Sequence, residues 1–109
     1  MIAYRFPGKV VLVTGSSRGI GAGTLEGFAT AGATCVVHFW DDPSGENRRD
    51  AEALEAKLKE LGASEVHAFD ADVRDPAAVE GLFAKVKDTC GGLDVLVNNA
   101  GIGYLIDPL

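Results

Sequence analysis

The sequence predicts an α/β fold with a doubly wound parallel sheet, and three observations carry that expectation. Four short β-branched-rich segments occur, Lys9–Thr14, Thr34–Phe39, Glu65–Asp70 and Leu93–Val97, and three are nearly continuous in apolar character, as strands covered on both faces are. Between them lie segments whose apolar residues recur at three and four positions, as on one face of a helix. Strands that alternate with helices imply right-handed crossovers and a parallel sheet. The predicted order along the chain is β-α-β-α-β-α-β.

Each element has its own signals. The first strand is the apolar run Val10–Val13, which leads into a glycine-rich turn. The helix from Ile20 to Ala31 is the weakest by propensity, because Gly21, Gly23 and Gly27 each cost about 1 kcal/mol against alanine. After the second strand, the stretch Asp41–Arg49 reads as a polar loop, and the run Glu46–Asp50 as the exposed start of a helix. That helix carries Ala51, Leu54, Leu58 and Leu61 on one face, with Glu and Lys on the other. The third helix opens on Asp75–Pro76, an N-cap followed by proline at the first helical position, and has the stripe Val79, Leu82, Phe83, Val86. The pairs Gly62–Ala63 and Gly91–Gly92 supply helix stops. The whole is one domain, residues 1–109.

Composition narrows the function. Ten basic against 16 acidic side chains give a net charge of −6, which argues against a duplex nucleic-acid footprint or an anionic-membrane binder. The longest aliphatic run has four residues, Val10–Val13, too short to span a bilayer. No basic-then-apolar leader opens the chain, so a cytoplasmic location is expected. Cys35 and Cys90 lack CxxC spacing and read as buried thiols, not a disulfide or a metal site; no metal ligands are expected. His38 and His67 read as satisfied sheet histidines.

Thr14-Gly-Ser-Ser-Arg-Gly-Ile-Gly21 begins where the first strand ends and runs into the first helix. Gly15 permits a tight turn, Gly19 lets backbone approach a diphosphate, and Gly21 lets the helix pack closely. The helix N-terminus then offers N–H groups and partial positive charge to phosphate. This motif resembles the cofactor turn of the short-chain dehydrogenase/reductase family, and Asn98-Asn-Ala-Gly101 resembles its second signature, after the fourth strand. Asp72–Val73 falls where that family holds the adenine ring. The resemblance extends from Lys9 to about Gly103.

The resemblance implies a Rossmann-like dinucleotide-binding sheet of order 3-2-1-4 and an oxidoreductase that moves hydride between a nicotinamide cofactor and a carbonyl or alcohol. The expected cofactor contacts are Gly15, Ser17, Arg18, Gly19, Ile20, Gly21, Asp72, Val73, Asn99, Ala100 and Gly101, with Asp41 added by its spacing from the glycine motif. Asn98 and Asn99 are expected mainly to brace the strands. In such a sheet the first and fourth strands are neighbours, and ligands bind beyond their carboxyl ends.

The choice of dinucleotide is divided. Asp41, with Asp42 beside it, lies about 20 residues past the motif and would favour NAD. Aligning the strand instead leaves Phe39 at the NAD-type acid and Trp40 where NADP users often have arginine. Arg18 is another basic position associated with NADP, and the balance favours NADP over NAD.

The family's chemistry needs a Tyr with a Lys four residues later, and a Ser. Four residues beyond Tyr4 and Tyr104 stand Gly8 and Pro108, so no catalytic residue is assigned. The chain is therefore expected to be the N-terminal cofactor-binding part of such an enzyme, truncated after the fourth strand and inactive alone. The alternative is a stand-alone nucleotide-binding module. The fourth strand should present an apolar edge, Val95–Val97, and a homo-oligomer is expected. Nothing in the sequence indicates the substrate.

Overall fold

The computed structural model describes residues 5–99. Its elements are β1 (Val10–Val13), α1 (Gly19–Thr30), β2 (Thr34–Phe39), α2 (Glu46–Leu61), β3 (Glu65–Asp70), α3 (Pro76–Cys90) and β4 (Val95–Val97). All strand pairs are parallel, in the order β3-β2-β1-β4. This is the expected sheet. β1 and β2 are buried along their whole length, which explains their unbroken apolar character. The edge strand β3 is only partly covered.

Side-chain alternation divides the core between the two faces of the sheet. Val11, Val13, Cys35, Val37 and Phe39 pack against Leu25 and Ala29 of α1 and Ala51, Leu54 and Leu58 of α2. Val10, Leu12 and Val36 point the other way, onto Leu82 and Val86 of α3. Leu96 of β4 stands beside Leu12 in register, yet it is 47% exposed.

Local chemistry sets the helix ends. Asp75 caps α3 by accepting the Ala77 N–H at 3.0 Å, with Pro76 behind it, as the sequence predicts. α2 begins at Glu46, so the loop after β2 is shorter than Asp41–Arg49. Asp42 accepts the Asn47 N–H at 2.9 Å, and Ser44 Oγ accepts the Glu46 N–H at 3.3 Å, which starts the helix there. The Ser44 hydroxyl donates to Asp42 Oδ2, and that bond first, then the one from the Asn47 N–H, holds the Asp42 carboxyl below its usual range. Asp94 ties the sheet ends together, taking the Val10 N–H at 2.8 Å on its carboxylate. Both cysteines are free thiols. Cys35 is buried, and burial pushes its thiol up to about 11. Cys90 departs from expectation: it is the last residue of α3 and only partly buried, packed at the margin of the core on that face.

Candidate functional site

Side-chain hydrogen bonds tie the turn after β1 to the ends of β2 and β4, and His38 of β2 carries the connection on to the loop after β3. Gly15 and Gly19 have φ of 63° and 65°, so glycine lets the turn adopt a left-handed path at little cost. At Gly21 a methyl group would lie 2.7 Å from Asn99 Nδ2, 2.8 Å from the Gly15 carbonyl oxygen and 2.9 Å from Ser16 Cα. Only glycine fits there, because the first turn of α1 lies directly against its own entry loop and the end of β4. A Cβ built at Gly19 meets nothing within 4 Å. The surface outside the second glycine is open, as close approach by a ligand requires.

No side chain caps α1, whose N-cap is Arg18. The first N–H groups of a helix have no intrahelical partner, so this end offers donors and partial positive charge beside the open face of Gly19. Ile20, 82% exposed, flanks the same face, with Ser17 half-buried. The residues present therefore fit a diphosphate: donors, room and favourable field coincide.

Asn99 closes the site from β4. Its N–H donates to Thr14 Oγ1 at 2.9 Å, and its Nδ2 donates to the Gly15 carbonyl at 3.2 Å. The Thr14 hydroxyl donates to Asn98 Oδ1 at 3.2 Å, and the Thr14 N–H to the Val97 carbonyl at 3.0 Å. The two asparagines bind the glycine turn to β4. Ala100 and Gly101 lie outside the described residues.

From β2 and β3 come the remaining candidates. Asp41, just past β2, is held by Arg48 through contacts of 2.8 and 3.3 Å. Arg18 reaches α2, where it contacts Glu46 Oε1 at 3.0 Å, Asn47 Oδ1, and Asp50 Oδ2 at 3.6 Å. The side chain remains 57% exposed. Asp72, after β3, pairs with Arg74 through two contacts of 2.9 Å, and the guanidinium holds its carboxyl down at about 2. Arg74 also lies over the ring of Trp40, 5.8 Å from its centroid. Val73 is half-buried beside this pair.

Two residues outside the motifs organise this end of the sheet. Ser16 is fully buried; its Oγ accepts the His38 N–H at 3.0 Å, and its own N–H donates to the His38 carbonyl at 2.9 Å. His38, 2% exposed, takes the Gly15 N–H on Nδ1 at 2.8 Å and reaches the Ala71 carbonyl from Nε2 at 2.8 Å. The expectation of a satisfied sheet histidine holds, but its partners belong to the site. The available signal is position: His38 is the one basic side chain in an apolar strand, one residue before its carboxyl end.

A parallel sheet of order 3-2-1-4 with a glycine turn entering an uncapped helix, braced by asparagines from the fourth strand, defines a dinucleotide-binding type of architecture. The profile of the short chain dehydrogenase family matches residues 9–107, and the chain belongs to that family. It is similar to the short chain dehydrogenase mdpC of Emericella nidulans, 37% identical over 91% of this chain and 35% of that protein. A short chain dehydrogenase from Burkholderia cenocepacia J2315, solved in complex with NADP, superposes with a TM-score of 0.80 at 40% identity, covering 92% of this chain and 38% of that one. The NADH-dependent reductase A1-R', solved with NAD, gives 0.76 at 36% identity, covering 87% and 37%. The chain thus spans about a third of the length of the curated relative, 35%. No helix among the described residues is long and apolar enough to cross a membrane.

Proposed function

We propose that this chain is the cofactor-holding part of a short-chain dehydrogenase/reductase and binds a nicotinamide dinucleotide across the carboxyl ends of its strands. The observation that carries this reading is the uncapped N-terminus of α1 beside the open face of Gly19. The diphosphate lies against the turn from Gly15 to Gly21 and takes the N–H groups at Ser17, Gly19, Ile20 and Gly21, while the Gly15 N–H stays on His38 and Gly15 shapes the turn. The adenosine end lies toward Asp72 and Val73, and Asn99, Ala100 and Gly101 border the nicotinamide side. When bound, the cofactor supplies hydride exchange at its nicotinamide ring; the residues here bind and orient it.

The preferred cofactor is NADP, with NAD the alternative. Arg18 supplies the charge for a 2′-phosphate, and its ion pairs with Glu46 and Asp50 are exposed and cheap to exchange for a phosphate dianion. Asp41 would repel that phosphate, but Arg48 offsets its charge. The 109 residues hold no Tyr-x-x-x-Lys, so binding without turnover is the expected behaviour of this chain alone. The exposed strand β4, with Leu96 outward, supports self-association into a homo-oligomer. A cytoplasmic location fits the same reading.

Calorimetric titration with NADP, NAD and ADP-ribose tests it. Saturable binding of all three, tightest for NADP, is expected. A chain that binds none of them, or that oxidises a dinucleotide with a carbonyl substrate unaided, contradicts it.

A further inference from the structure

His38 is the point at which three loops of the site meet. Its backbone exchanges hydrogen bonds with Ser16, its Nδ1 holds the Gly15 N–H, and its Nε2 holds the Ala71 carbonyl. Ala71 immediately precedes Asp72 and Val73. An amide N–H can only donate and a carbonyl can only accept, so these two partners fix the ring: Nδ1 is bare and Nε2 carries the proton. We propose that His38 is the positioning residue of the dinucleotide site, holding the diphosphate turn and the adenosine segment in register as the neutral Nε2–H tautomer, so that cofactor binding is lost when the ring takes up a second proton. This rests on the dinucleotide reading given above.

The second proton would have to sit on Nδ1, facing the Gly15 N–H, and two donors cannot share that bond. With His38 only 2% exposed, no water replaces the lost acceptor unless the turn opens. The surroundings offer little to hold the imidazolium. The turn from β1 brings uncharged Thr14, Gly15 and Ser16. From β3 the facing charge is Asp70, with Asp72 beyond it already paired to Arg74. α3 lies on this face through Ala78, Leu82, Phe83 and Val86, with Cys90 at its far end; Glu80, Lys85, Lys87 and Asp88 are exposed. Burial consequently lowers the ring's pKa below its ordinary 6.5, against the opposing effects of the Ala71 carbonyl and Asp70. A depressed folded-state pKa means that the turn is intact above about 6.5 and is lost as pH falls from there through the folded-state value.

The test is the pH dependence of ADP-ribose affinity, a probe without the 2′-phosphate that itself titrates near 6. It compares the wild-type chain, His38→Asn and His38→Leu between pH 8 and 5, with circular dichroism confirming the fold at each point. Wild-type affinity is expected to fall by about tenfold per pH unit below the ring's pKa, because only the unprotonated fraction binds. Asparagine places a non-titrating acceptor where Nδ1 was, so that variant should bind within a few-fold of wild type at pH 8 and keep its affinity in acid. Leucine should bind about tenfold more weakly at pH 8, with a flat profile, for loss of a buried hydrogen bond of about 1–2 kcal/mol. Nitrogen-15 spectra of the ligand-free ring should show Nε2–H and a bare Nδ1. An asparagine variant with the wild-type slope or no better than leucine, a leucine variant as tight as wild type, or the opposite tautomer overturns the proposal. Failure of ADP-ribose to bind any of the three at any pH brings down the dinucleotide reading itself, and this inference with it; a fault in the pH behaviour alone leaves that reading standing.

Discussion

A methyl group at Gly21 would come within 2.9 Å of three atoms, two of them backbone, whereas at Gly27 it would meet nothing within 4 Å. Two glycines of one helix therefore answer the same substitution in opposite ways. Gly21→Ala forces α1 away from the turn and Asn99, and should cost about 1–3 kcal/mol and abolish dinucleotide binding. Gly27→Ala removes only backbone entropy from the unfolded chain, and should add about 0.5–1 kcal/mol, or several degrees of Tm, with affinity unchanged. Thermal unfolding and calorimetry of the two variants check both signs. Arg18 makes a second prediction at this scale. Arg18→Ala breaks exposed ion pairs worth little to the fold. It should weaken NADP by about tenfold, the size of one charge-assisted contact, and leave NAD within about twofold. Equal losses for both cofactors would remove Arg18 from the 2′-phosphate.

Elements were legible in the sequence where local chemistry settled them. Asp75–Pro76 marks the start of α3, because a carboxylate cap and a missing N–H both belong at that position. The boundary of α2 is half legible: the exposed run at Glu46 marks a helix start in the sequence, but the Asp42 and Ser44 bonds that shorten the loop before it leave no mark there. Such bonds depend on how the chain leaves β2, and periodicity does not report that. α1 forms despite three interior glycines, since Leu25 and Ala29 bury fully against the sheet and packing outweighs propensity. The glycine motif was legible because each glycine answers a steric demand. The contribution of His38 and Ser16 was not, because it comes from cross-strand hydrogen bonds 22 and 23 residues apart. Those partners become neighbours only once β1 and β2 are paired.

For the molecule as a whole, strand order followed from the alternation of elements together with the family resemblance, and the β1–β4 adjacency brings Asn99 to the glycine turn. The same adjacency leaves β4 at the margin of the described sheet, with Leu96 outward. An apolar edge of this kind recruits another strand. Leu96→Lys should therefore shift sedimentation toward monomer without lowering stability by more than about 0.5 kcal/mol, as a surface change does. A wild-type chain that sediments as a monomer at every concentration would contradict self-association. Whether the turn from Gly15 to Gly21 and the opening of α1 receive a diphosphate is read from backbone amide resonances followed during titration with ADP-ribose. Saturable shifts concentrated at Gly15–Gly21 and at Asp72–Val73 are expected. Saturable shifts located elsewhere, with the turn amides unmoved, would contradict it.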